Sequence, residues 1–277
     1  MALRIGKIDY ANCIPIFSAL LCSGNDNDYE LVYGVPSGLN QLLAKGELDV
    51  SPSSSIEYGK HFGRYLFLPD LSISAIGPVR SVLLVSTRPL ADLDRQAIAL
   101  TTESDTSVNL LKILLSKAYS YTNRFERTHL APSEALSEYS AMLLIGDAAL
   151  KTWLEPKGYF LYDLGELWHK FTGLPFVFAL WIVNRQAADT KRGELLTLSA
   201  KLTKAKEYAY SSYAAIAAGC RGHDWISQAE LVDYWQTISY DLTPEHIKGL
   251  QLFYNYAAEM GILNEVPELS IFRADMR

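Results

Sequence analysis

Short, β-rich apolar segments alternate with helical ones over most of residues 3–184, and no other feature of the chain constrains its fold as tightly. LRIGKI reads as a buried strand, with Tyr10-Ala11-Asn12 as the loop leaving it and IPIFSAL as a helix carrying Pro15 in its first turn, where a missing N–H is tolerated. YELVYGV (29–35) is a second strand, and Leu39, Leu42 and Leu43 mark a short helix that ends at Gly46. LDV (48–50) is a third strand, after which S-P-S-S-S opens another helix. Residues 65–86 are dense and β-rich, broken by Pro69 and Gly77-Pro78. TRPLADLD is a turn into a short surface helix, and AIALTTESDTSVNLLKILLSKAY reads as strand, loop and amphipathic helix. MLLIGDAAL switches from strand to helix at Gly146-Asp147, and YFLYDLGELWHKFTGLPFVFALWIV supplies two strands around a short helix. Strands and helices joined by short loops are the pattern of a parallel α/β architecture.

After Asn184 long helical patterns take over, at 187–218, 227–240 and 244–260. Ser227 and Glu230 form a capping box, Thr243-Pro244-Glu245 is a helix start, and Gly261 a stop. The expected architecture is therefore α/β and two-lobed. Residues 1–86 and 177–277 form a discontinuous lobe one and 87–176 lobe two, with SVLLVS and FVFALWIVN as crossover strands and the helical C-terminal segment packing on lobe one. In such a layout a ligand sits in the cleft, facing the strand ends.

A net charge of −6 over 277 residues, with no basic run, removes the main driving force for nucleic-acid binding. The longest clean apolar run, 176–183, is too short for a membrane span. The stretch before Cys22 is interrupted by Asp9, Asn12 and Pro15 and does not fit an export signal, so the chain reads as mature and cytoplasmic. Cys13, Cys22 and Cys220 form no C-x-x-C pair and suit a reduced compartment. Nucleotide-binding glycine motifs, zinc spacings and a nucleophile elbow are absent from the sequence, and its five histidines are scattered. A metal site is not expected.

What stands out is a set of small polar residues at strand-to-helix junctions: Asn12, the run Ser53, Ser54 and Ser55, the pair Arg80 and Ser81, the run Ser104 to Ser107 with Thr106, and Asp147. Hydroxyls beside the free N–H groups of a helix start are suited to holding a carboxylate or phosphate. Each is also an ordinary helix cap or turn residue, and Ser81 can equally be strand filler. Arg80 either reaches a carboxylate or faces solvent, since strand alternation sets it opposite Ser81.

The blocks GKIDYANCIPIF, SPSSSIEY, PDLSISAIGPVRSVLLVS, SDTSVNLLKILL, LLIGDAAL, YDLGELW and TGLPFVFALW, in that order, resemble the chorismate dehydratase family of the futalosine route to menaquinone. The likeness covers about 1–185 closely, and the helical tail only by length and character. It implies a type II periplasmic-binding-protein-like fold used by a carbon–oxygen lyase, a hydro-lyase that turns chorismate into 3-[(1-carboxyvinyl)oxy]benzoate without a dissociable cofactor. It also implies that Asn12 of the D-Y-A-N-C block and Ser81 of the G-P-V-R-S block are the active-site residues. Ser54, Ser55, Arg80, Thr106, Ser107 and Asp147 are added from the junction chemistry as substrate-binding residues. The rival reading is a solute-binding protein of the same fold for a small carboxylate, without catalysis. A later cyclase of the same route and a ligand-sensing regulatory module are further alternatives. Neither a nucleic-acid nor a membrane partner is expected, and the oligomeric state is open.

Overall fold

A computed structural model describes residues 2–22 and 29–274, and in it the strands form two five-stranded sheets. The first contains β1 (Leu3–Lys7), β2 (Tyr29–Tyr33), β3 (Val50–Ser54), β4 (Tyr65–Ala75) and β10 (Phe176–Asn184), ordered β2-β1-β3-β10-β4. The second contains β5 (Val82–Ser86), β6 (Ala97–Leu100), β7 (Arg124–Arg127), β8 (Ala141–Ile145) and β9 (Phe160–Asp163), ordered β7-β6-β8-β5-β9. Both sheets are mixed rather than wholly parallel. β10 runs antiparallel to β3 and β4, and β5 antiparallel to β8 and β9. In each sheet the strand that follows a crossing between lobes, β5 after the first and β10 after the second, is the one that runs antiparallel to both its neighbours.

Sheet membership moves the expected crossings. The strand SVLLVS does not cross between lobes; β5 lies wholly in the second sheet, although a boundary after residue 86 placed it in lobe one. The chain crosses in the short segment 76–81, and returns through α7 (Leu164–Thr172) and the turn at 173–175 before β10 enters the first sheet. A second difference concerns S-P-S-S-S, which continues β3 through Ser54 before α3 (Ser55–His61) begins. Pro52 is tolerated in the strand because β3 is registered with β1 only at Val50, while Pro52 faces Trp181 of β10.

The remaining helices are α1 (Ile14–Cys22), α2 (Pro36–Ala44), α4 (Asp105–Ile113), α5 (Pro132–Glu138), α6 (Gly146–Leu154), α8 (Arg185–Thr190), α9 (Arg192–Gly219), α10 (Gln228–Trp235) and α11 (Pro244–Glu259). α10 is shorter than the pattern over 227–240 predicted, but its Ser227–Glu230 capping box is present. Helix α9 packs on α1 and β4, so the tail does cover the first sheet; α11 reaches both β10 and α4 and therefore touches both halves. Among the described residues no helix is long and apolar enough to cross a membrane.

Two buried features brace this arrangement. Trp168 of α7 is fully buried among Phe176, Phe253 and Tyr256, with ring centroids 5.2, 6.5 and 6.4 Å away, and its indole N–H donates to the Pro175 carbonyl at 3.2 Å. Asp49, only 2% exposed, receives Arg4 Nη2 at 2.6 Å and Lys191 Nζ at 2.6 Å, tying the start of α9 to β1. Burial pushes the Asp49 carboxyl up, but the hydrogen bonds from Arg4 and Lys191 outweigh it and hold it below the usual carboxylate range. A depressed folded value means that this stabilisation is complete above the unfolded value, near pH 4, and is lost as pH falls through the folded one. The melting temperature is therefore expected to hold between about pH 7 and 5 and to fall below about pH 4, with a shallower acid limb in Asp49→Asn. Identical acid limbs in the two proteins would contradict this assignment.

Candidate active site

Between the sheets lies a cleft with about 650 Å³ of empty space, part of it open to solvent. Its lining comes from the predicted junctions: Tyr10 and Asn12 after β1, Pro52 and Ser54 at the end of β3, Val79 and Ser81 in the first crossing, Ser104 and Ser107 at the start of α4, and Ile145 and Gly146 between β8 and α6. Ile8, Ile73, Phe178 and Ile238 form apolar walls. Phe178 lies at a register shift in the pairing of β10 with β4, a bulge of the kind that re-aims a side chain. Among the described residues no Lys, Arg, His, Asp or Glu lines this cleft; its polar surface consists of hydroxyls and one amide, with the Cys13 thiol beside them. Burial pushes that thiol up to about 12, so it stays protonated near neutral pH. Charged groups (Glu57, His61, Glu103 and Asp105) sit in an adjoining recess that shares Pro36, Ser54 and Ser104 with the cleft.

Asn12 belongs to a single 3₁₀ turn, Ala11–Cys13, gripped from several sides. The Ala11 N–H donates to Asp147 Oδ1 at 3.0 Å, the Ala11 carbonyl accepts from Trp235 Nε1 at 2.8 Å, and the Asn12 carbonyl accepts from the Tyr240 hydroxyl at 2.8 Å. The turn is thus fixed while its side chain stays free: Asn12 Oδ1 is buried without a hydrogen-bond partner. An orphaned buried acceptor costs roughly 1–3 kcal/mol, a cost that a ligand donor recovers.

Ser81 is 3% exposed, and its hydroxyl makes one long hydrogen bond, to the Val79 carbonyl at 3.4 Å. Burial pushes the fully buried Tyr234 phenol far up, and the neighbouring Ser81 side chain offsets only part of the rise. The Ser81 carbonyl accepts the Gly146 N–H at 2.8 Å, joining the crossing to the start of α6. Gly146 has φ +58°, and a Cβ there would lie 3.1 Å from the Tyr10 ring, so glycine is needed both for the turn and for the close approach.

The structure brings Asn12, Ser54, Ser81 and Ser107 together in the cleft and sets Ser55, Arg80, Thr106 and Asp147 outside its lining. Ser55 Oγ donates to the Val177 carbonyl at 2.8 Å, and Thr106 Oγ1 accepts the Ile56 N–H at 3.0 Å. The Thr106 hydroxyl, with Ser55 Oγ 3.5 Å from it, joins the starts of α3 and α4. Asp147 holds Ala11 and lies 3.6 Å from His223 Nε2. Arg80 is not on a strand: with φ +61° it turns its guanidinium over the Trp153 ring and to 3.9 Å from Asp233. Further bonds close the cleft, from Tyr10 Oη to Glu103 at 2.7 Å and from Lys60 to Asp105 at 2.7 Å. Sequence reasoning did not find Ile238, because nothing in the helical tail marks which of its residues reaches a cleft built from strand ends far upstream.

A family model described as menaquinone biosynthesis matches residues 3–259. A protein of Thermus thermophilus named chorismate dehydratase is 39% identical over 202 residues, which cover 68% of this chain and 72% of that one. A Campylobacter jejuni protein of the same name is 33% identical over 178 residues, covering 63% and 64%. Among solved structures, the periplasmic aliphatic sulphonate binding protein of Escherichia coli superposes with a TM-score of 0.69 at 16% identity, over 98% of this chain and 97% of that one. A Candida albicans protein described as exhibiting the generic periplasmic binding protein structural fold reaches 0.74 at 12% identity, over 100% and 99%. These structures share the fold, a two-lobed periplasmic-binding-protein-like one. The match running from residue 3 to residue 259 and the 39% identity to a curated relative together show that the chain belongs to the menaquinone-biosynthesis family.

Proposed function

We propose that this chain is a chorismate dehydratase, a cytoplasmic hydro-lyase that removes water from chorismate to give 3-[(1-carboxyvinyl)oxy]benzoate. The observation that carries the reading is the unpartnered Oδ1 of Asn12, which shares an uncharged cleft with the Ser81 hydroxyl. The relatives that bear this name support it.

The ring carbon that bears the ether gives up its proton, and the C–H electron pair becomes the new ring π bond. The neighbouring hydroxyl leaves with its bonding pair, takes up that proton and departs as water. Because the product is aromatic, much of the driving force resides in the substrate, and the protein's task is to orient, polarise and exclude solvent. In this reading Asn12 and Ser81 hydrogen-bond the reacting end of the ring, while Ser54, Ser104 and Ser107 at the starts of α3 and α4 hold the carboxylates. The substrate's own side-chain carboxylate accepts the ring proton and passes it to the departing hydroxyl, since no ionised side chain lines the cleft among the described residues. Preorganised neutral dipoles suffice in a closed site because they need no reorganisation as charge develops.

Purified protein mixed with chorismate is expected to abolish the diene absorbance and to build a benzoate spectrum. Tight binding with no turnover would overturn the reading in favour of a solute-binding protein.

A further inference from the structure

Asp163 lies outside the cleft lining, at the junction of β9 and α7, and is 1% exposed. Its Oδ1 accepts the N–H groups of Gly165 at 2.9 Å and Glu166 at 3.1 Å, capping α7. That cap needs only one oxygen, and Asn or Ser would supply it equally well. The second oxygen does something else: Oδ2 accepts the N–H groups of Val79 at 2.9 Å and Arg80 at 2.5 Å, the two residues that precede Ser81. Arg80 is held at φ +61°, a left-handed conformation that a large side chain adopts only when its surroundings impose it. Two successive N–H groups converging on one anion, beside a left-handed residue, are a nest filled by the protein's own carboxylate. The Arg80 guanidinium, directed at Trp153 and Asp233, takes no part. Burial pushes the Asp163 carboxyl above the usual range and its four backbone partners only partly offset this, so the group is kept at a cost that capping alone does not explain.

We propose that Asp163 is the positioning residue for Ser81: it holds the Val79 N–H and fixes the left-handed turn at Arg80, and so directs the Ser81 hydroxyl into the cleft. The chemistry senses this carboxylate only through that hydroxyl. The inference rests on the dehydratase reading above.

Asp163→Asn keeps the shape and one acceptor but sets an NH₂ donor against backbone N–H groups on one side. It is expected to lower kcat for chorismate tenfold or more with KM changed less than about threefold, and to accelerate amide exchange at Val79 and Arg80. In a Ser81→Ala background the same substitution should lower kcat no further, whereas a merely structural role predicts the same loss in both backgrounds. Equal losses, or an unchanged kcat in the single variant, would overturn the inference. Asp163→Ser, which keeps the helix cap and drops the second acceptor, serves if Asp163→Asn does not fold. Should wild-type protein leave chorismate intact, the dehydratase reading fails on its own. The positioning claim is then decided by the amide exchange, supported by faster exchange at Val79 and Arg80 and overturned by none.

Discussion

Asn12→Ala and Ser81→Ala are each expected to lower kcat/KM for chorismate by roughly 10²-fold or more, equivalent to about 2.7 kcal/mol of transition-state stabilisation. That is the scale on which single preorganised hydrogen-bonding groups act when no ionised group shares the load. The two variants should differ in stability. Removing the Asn12 side chain deletes a buried acceptor that has no partner in the folded chain, so the variant should melt at or above the wild-type temperature while losing activity. Removing the buried Ser81 hydroxyl deletes its hydrogen bond to the Val79 carbonyl and should lower the melting temperature slightly. Paired kinetics and thermal melts test both claims. Near-wild-type kcat/KM in either variant would remove that residue from the reaction, and a marked drop in the melting temperature of Asn12→Ala would mean that its amide is structural.

Trp168→Ala carries the largest expected cost in stability, about 3–5 kcal/mol, the range for deleting a buried aromatic side chain. The indole fills the space between α7, β10 and α11, and its N–H meets the Pro175 carbonyl in the turn through which the chain returns to the first sheet. Gly249 of α11 approaches the same carbonyl so closely that a Cβ there would lie 2.1 Å from it. Gly249→Ala must therefore displace α11 or the turn and should be severely destabilising as well. Urea unfolding followed by tryptophan fluorescence and circular dichroism measures both variants. A loss below about 1 kcal/mol for Trp168→Ala would mean that this cluster is not what braces the return crossing.

Much of this was legible along the chain because local signals and the global fold agree. The strand–loop–helix switches at Asn12, Ser104 and Gly146 carry apolar runs, caps and a glycine in register, and each ends at the cleft. What escaped was set by distant partners. Arg80 reads as a strand residue until Asp163, 83 positions away, is seen to impose its left-handed turn. Ser54 and Ser55 are indistinguishable as letters, yet one faces the cleft while the other donates to the Val177 carbonyl, 122 positions on. SVLLVS has the character of a crossover strand because a strand buried on both faces looks the same wherever it lies; only its pairing with β8 and β9 assigns it to the second sheet.

The placement of β10 between β3 and β4 sets an order of assembly. The second sheet has all its strands once Asp163 is made, whereas the first still lacks the strand between β3 and β4 until residue 184 follows. During synthesis the internal lobe can close while β3 and β4 each present an unpaired edge, an arrangement open to chance pairing with other chains. Ribosomal pausing shortly after residue 184 has emerged would thus favour productive folding, and truncation just before 176 would leave a finished inner lobe carried by an unfinished outer one.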